Sequence, residues 1–113
     1  MRRLAAFGFG ASLLDALVLS VVSQTGSEGA YGYKITQDLR QVIEISETSL
    51  YPVLRRLLKD GYLTAYSREC AGRNRRYYRL TPLGGTQLTK YRIDWRDYRD
   101  RIQTVLFGGV DNE

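Results

Sequence analysis

Residues 46–80 read SETSLYPVLRRLLKDGYLTAYSRECAGRNRRYYRL, and a change of rhythm inside this stretch decides the fold. Up to Gly61 the apolar residues Leu50, Val53, Leu54, Leu57 and Leu58 recur at the spacing of one helix face. Ser46 can cap that helix with its hydroxyl, and Gly61 can end it. Pro52 leaves the helix start open. Proline lacks a backbone donor and suits a first turn, so the regular helix begins either near Ser49 or near Ser46 with a strained second turn. After Gly61 the period drops to two. Residues 62–67 and 76–80, rich in Tyr, Thr and Leu, read as strands, with Ala71-Gly72-Arg73-Asn74-Arg75 as the loop of a hairpin carrying two arginines at its tip.

The same stretch holds the charge. It contains Arg55, Arg56, Lys59, Arg68, Arg73, Arg75, Arg76 and Arg79 against Glu47, Asp60 and Glu69, a net +5. The whole chain of 113 residues also carries +5, so everything outside these residues is neutral. A field concentrated in this way draws a polyanion better than an even scatter of the same charges. The remaining composition points away from catalysis. There is no His, which removes the commonest general base and any Cys/His zinc cluster, and the single Cys70 cannot close an internal disulfide. No cofactor and no metal are expected, Cys70 is read as incidental, and a reducing cytoplasmic interior is the expected location. Asp94, Asp97 and Asp100 sit among arginines on a solvated helix face, and no residue set proposes a reaction.

Upstream, Met1-Arg2-Arg3 and the apolar run to Val22 resemble a secretory signal superficially. Asp15 interrupts that run, and Ala11–Val22 is shorter than the roughly 20 residues of a membrane span. No membrane partner is expected. A helix over 11–24 fits better, with Ser12, Asp15, Ser20 and Ser23 in one sector and Leu13, Leu14, Leu17, Val18, Val21 and Val22 in the other. Its wide apolar arc, to which Leu19 adds from the polar side, predicts burial against both its own core and a second subunit. Gly26-Ser27-Glu28-Gly29 marks a turn, Tyr31–Val42 has helical spacing through Tyr31, Ile35, Leu39 and Val42, and Ile43-Glu44-Ile45 makes a short strand or an extended connection.

Downstream, Thr81-Pro82 reads as a cap followed by proline at the first helical position. The helix expected from there covers 82–107 despite Gly84-Gly85. Leu88, Tyr91, Trp95, Tyr98, Ile102 and Val105 repeat at alternating steps of three and four, the seam of a coiled coil. Such a seam, with Leu14 and Val18 of the first helix, predicts an interface between two copies of the chain, the alternative being packing of the last helix onto the same chain's first helix. Residues 108–113 are expected to form a flexible tail.

Three helices, a hairpin and a long amphipathic helix make a mainly α fold with a small β-hairpin. These are the parts of a winged helix-turn-helix over residues 1–81, followed by a dimerisation helix. The third helix must dock one stripe and offer the other to a major groove about 12 Å wide. Ser46, Thr48, Ser49, Tyr51, Arg55, Arg56 and Lys59 are therefore candidate contacts to duplex DNA. Tyr33 and Lys34 on the second helix join them, as do Arg73, Arg75 and Arg76 on the hairpin, which can reach phosphates or a minor groove. A two-fold dimer would set two such helices about one DNA turn apart and so match a pseudo-palindromic operator. The competing reading is a winged-helix interaction module whose basic surface binds an acidic protein.

The segments Tyr31-Gly32-Tyr33-Lys34-Ile35, Ser49-Leu50-Tyr51-Pro52-Val53-Leu54-Arg55-Arg56-Leu57, Asp60-Gly61-Tyr62-Leu63, Gly72-Arg73 and Arg76-Tyr77-Tyr78-Arg79-Leu80-Thr81 resemble the PadR family of bacterial transcriptional regulators. The likeness runs from about Leu13 to Leu106, and a single helix after the hairpin is similar to the short subfamily. The resemblance implies a winged-helix dimer, usually a repressor, released from its operator by a small-molecule or stress signal. It further implies that the segment around Pro52 is the family's usual recognition-helix start. By likeness to multidrug-binding relatives, Trp95 would stack a planar aromatic effector across the two-fold, with Ala16 nearby. Arg92, Arg96 and Arg99 depart from a purely apolar pore and imply an anionic ligand or salt bridges to the neighbouring aspartates; Arg99 is the candidate effector contact.

Overall fold

The computed structural model describes residues 11–108. The expected tail beyond Gly108 and the segment Met1-Arg2-Arg3 lie outside them. Helix α1 spans Ala11–Ser23, β1 is the two-residue strand Ala30–Tyr31, α2 is Gly32–Leu39 and α3 is Glu47–Lys59. Strands β2 (Leu63–Cys70) and β3 (Arg73–Leu80) follow, and α4 (Pro82–Phe107) closes the chain. The sheet is antiparallel in the order β1-β3-β2. This is a winged helix-turn-helix with a long C-terminal helix.

The core lies where α1, α2 and α3 meet the inner face of the sheet. Val18, Leu19, Val22, Ile35, Leu39, Leu50, Leu54 and Leu57 are almost fully buried there, with Ala30, Leu63 and Tyr78 from the strands and Leu88 from α4. Two of these residues were expected between copies of the chain. Val18 and Leu88 instead belong to the chain's own interior, because the α1 arc is wide enough to face both the core and α4. Within the polar sector of α1, Asp15 does not face water: it is only 8% exposed and is turned inward. Leu19, read as lying on that polar side, is fully buried.

Ser46 is the N-cap of α3, its Oγ accepting from the Ser49 N–H at 3.2 Å. The helix therefore begins at the earlier of the two candidate starts, and Pro52 lies inside it, in the second turn. Proline has no N–H to give the Thr48 carbonyl, and the exposure of both residues leaves that carbonyl to solvent. Helix α2 is shorter than the expected Tyr31–Val42. It stops at Leu39, whose carbonyl accepts from the N–H groups of Val42 and Ile43, both at 3.0 Å. Val42 is consequently exposed, and Ile43–Ile45 forms no strand but an irregular connection tied by Arg40 Nε donating to the Ile45 carbonyl at 3.0 Å. Strand β1 was not foreseen, since two residues carry no period.

The hairpin also departs from expectation. Cys70 pairs with Arg73, so the connection is only Ala71-Gly72, both at positive φ (53° and 79°), and the strands run to the tip. Two positive φ values are what a tight primed turn needs to follow the twist of its strands. Arg73 and Arg75 are thus strand residues rather than loop residues.

Candidate nucleic-acid interface

Helix α3 divides its surface cleanly. Leu50, Val53, Leu54 and Leu57 dock it, while Thr48, Tyr51, Pro52, Arg55 and Lys59 form an exposed ridge at three- and four-residue steps. Glu47 at its first turn and Arg56 and Lys59 in its last turn each oppose the sign of the helix dipole there. Ser46 spends its hydroxyl on the cap and on Ser49 Oγ at 3.2 Å, so these two candidates are engaged with each other.

Between the N-terminal ends of α2 and α3 and the wing lies a cleft of about 480 Å³. Five of the residues expected to contact DNA converge on it: Tyr33, Tyr51, Arg73, Arg75 and Arg76. Tyr31, Gly32, Glu47, Asn74 and Tyr78 also line it and were not foreseen as site residues. Strand β1 accounts for this, because pairing Ala30 with Tyr78 and Tyr31 with Tyr77 draws the start of α2 against the wing. The arginines are held in place by aromatic faces. The guanidinium of Arg75 lies 4.6 Å from the Tyr31 ring centre, and that of Arg76 lies 5.9 Å from Tyr78. Burial pushes the Tyr78 hydroxyl above its ordinary pKa while Arg76 and Arg55 pull it back, so it stays a neutral donor at the cleft floor.

The other candidates stand apart from the cleft. Lys34 pairs with Asp38 at 3.0 Å and lines a separate groove beside Glu28. Arg55, Lys59 and Thr48 are exposed on the α3 ridge. Arg56 was expected to face DNA; it reaches back instead to Asp15 of α1, forming the ion pair that joins the first and third helices. Burial raises the Asp15 pKa above the ordinary carboxylate value, and Arg56 opposes that rise through charge and a hydrogen bond.

A second cavity, of about 430 Å³, opens between α1, α4 and the α2–α3 connection. Ala16 and Trp95 both line it, with Leu13, Leu17, Val42 and Tyr91. Its cation is Arg92 rather than Arg99, which pairs with Asp100 and lines a smaller hollow of about 240 Å³ further along α4. Of the expected interface residues, Leu14 is half-buried, Tyr91 packs against the core, and Tyr98 lies 6.3 Å from Trp95, centre to centre. Ile102 and Val105 are exposed, the latter by 81%. Among the described residues no three His, Cys, Asp or Glu side chains are grouped to hold a metal, and no helix is long and apolar enough to cross a membrane.

Comparison with known proteins places this geometry. The family model described as Transcriptional regulator PadR-like family matches residues 18–90. A transcriptional regulator of Mycobacterium tuberculosis is 38% identical over 94 residues, which cover 82% of this chain and 85% of that protein. The crystal structure of a Streptococcus mutans protein is similar with a TM-score of 0.80 at 37% identity, covering 88% of this chain and 91% of the other. Bacillus subtilis PadR in complex with operator DNA shares the fold, with a TM-score of 0.63 at 21% identity over 74% of this chain and 49% of that one.

Proposed function

Because the chain belongs to the PadR-like family of transcriptional regulators, and so to a family of regulators rather than enzymes, we infer that it reads duplex DNA as a homodimer and represses from a pseudo-palindromic operator. The observation that carries this reading is the basic cleft. Tyr51 on α3 and Arg73, Arg75 and Arg76 on the wing border one space, and the exposed α3 ridge continues from it. A helix ridge of short polar and basic side chains suits a major groove, and adjoining arginines suit phosphates or the neighbouring minor groove. The Bacillus subtilis relative bound to its operator supports the same class of partner. In this reading residues up to 81 contact DNA and 82–107 pair the two copies. The cavity containing Ala16, Trp95 and Arg92 then takes a planar aromatic or anionic effector that releases the operator.

Selection of bound sequences from random duplex DNA tests the function directly. A palindromic consensus is the expected outcome. Binding that prefers no sequence, together with tighter binding to an acidic protein, would overturn it in favour of an interaction module. Changing Arg73 and Arg75 together to Ala should flatten the salt dependence of operator affinity by about two phosphate contacts. For the effector, Trp95→Ala should abolish the release of operator DNA by planar aromatic compounds, and an equal operator response to ligand in both proteins would remove this cavity from the mechanism.

A further inference from the structure

The wing carries arginines that DNA reading from the cleft leaves unused. Strand pairing sets Tyr66 beside Tyr77, Arg68 beside Arg75 and Thr64 beside Arg79, all on the side of the sheet opposite Leu63, Tyr78 and the core. Arg75 reaches the cleft over the β1 edge, whereas Arg68 and Arg79 do not line it. Their guanidinium groups are laid flat on the sheet, Arg68 at 5.0 Å from the Tyr77 ring centre and Arg79 at 4.1 Å from that of Tyr66. A guanidinium stacked in this way is fixed in orientation, with its edge donors left to meet a carboxylate as a fork. Arg68 already meets the Glu28 carboxylate through one N–H, at 2.8 Å, while the Tyr66 hydroxyl donates to the Glu28 carbonyl at 2.7 Å. Arg79 stands in no ion pair among the described residues, and its Nε has no hydrogen-bond partner.

Beside these arginines runs an unpaired sheet edge. In the order β1-β3-β2, the outer side of β2 has no strand neighbour among the described residues along its eight residues, Leu63–Cys70. Backbone donors and acceptors on a free edge recognise polypeptide by strand addition, and alternate side chains of the added strand lie over one face. We propose that the free edge of β2 and the Arg68–Arg79 face of the wing together dock an extended acidic protein segment as a fourth strand. Backbone pairing along β2 supplies register. Glutamate or aspartate at every second position, about 6.8 Å apart along the added strand, then lies on the same face as the guanidinium groups. The cleft lies at the β1 edge of the sheet and β2 forms the opposite edge, so the docked segment and DNA approach from different edges.

The probe is a fluorescein-labelled eight-residue peptide of alternating threonine and glutamate, followed by anisotropy on the full chain. Saturable binding is expected, falling by about tenfold or more when Arg68 and Arg79 are both changed to Ala. Arg76→Ala, in the cleft, should leave peptide binding unchanged while weakening operator binding. A peptide N-methylated on the amides that would pair with β2 should bind at least about tenfold less, a comparison that needs no change in the protein. Equal binding of the methylated peptide would reduce the contact to bulk charge and overturn the proposal. So would an absence of peptide binding accompanied by a loss of duplex affinity in the Arg68→Ala, Arg79→Ala protein, which would assign this face to DNA. Neither result bears on whether the cleft reads an operator.

Discussion

Ala71 is the one described residue other than glycine at positive φ, 53° at the tip of the wing. Its Cβ makes that conformation costly by about 1 kcal/mol, which asparagine largely avoids. Ala71→Asn should therefore raise thermal stability by about 1 kcal/mol without moving Arg73 or Arg75; a lower melting temperature would contradict the turn assignment. Asp15 makes a second residue-scale prediction. Its pKa is raised in the folded chain, first by burial, so folding favours the protonated carboxyl. The contribution to stability is greatest below the ordinary value of 3.8 and declines as pH rises through the elevated folded value. Arg56 offsets that decline at neutral pH. Arg56→Ala should cost about 2 kcal/mol at neutral pH, less than a fully buried pair because Arg56 still reaches water. The deficit should narrow on acidification as Asp15 takes up its proton, whereas a pH-independent deficit in denaturant melts would assign the cost to lost packing.

At the scale of elements, α4 is fixed by its first turn. Thr81 Oγ1 donates to the Gly61 carbonyl at 2.6 Å and accepts from the Gly84 N–H at 2.9 Å, joining the helix to the turn before β2. A Cβ on Gly84 would lie 2.1 Å from the Tyr62 carbonyl oxygen, a backbone atom that has no rotamer to yield. Gly84→Ala should destabilise by about 3 kcal/mol, while Gly85→Ala, facing only the tip of Leu80, should be tolerated. Calorimetric melting of the two variants separates a close approach from a general dislike of alanine. Gly84 also shows where sequence reading reached its limit. The caps at Ser46 and Thr81, the α3 stripe and the shift to period two were legible because they are local. The reason for Gly84, the strand β1 and the inward turn of Asp15 are contacts with distant residues, which no local period encodes. The site divided in the same way: wing and α3 residues were found by type and position. Tyr31, Gly32, Glu47, Asn74 and Tyr78 entered it only because β1 folds back onto β3.

At the scale of the whole molecule, the described residues measure 58 × 26 × 22 Å, long because α4 outruns its support. Only Gly84 and Leu88 of that helix are buried, and its far end exposes Ile102, Val105, Leu106 and Phe107. A terminal strip of this size in a chain of 12.9 kDa is a surface that a second copy would cover. Light scattering on the proposed dimer should give twice that mass, and Ile102→Asp with Val105→Asp should halve it while leaving the secondary structure intact. A monomer in the unchanged protein would overturn the dimer reading. The length of α4 has one more consequence. At 1.5 Å per residue its 26 residues make a rod of about 39 Å, anchored at one end beside the wing. Turning such a rod by about 5° about its far end carries the wing end through an arc of about 3 Å, close to the rise of one base pair. In the proposed dimer, a displacement of that size at the wing would separate two half-sites in step with the DNA from two that have lost their phase.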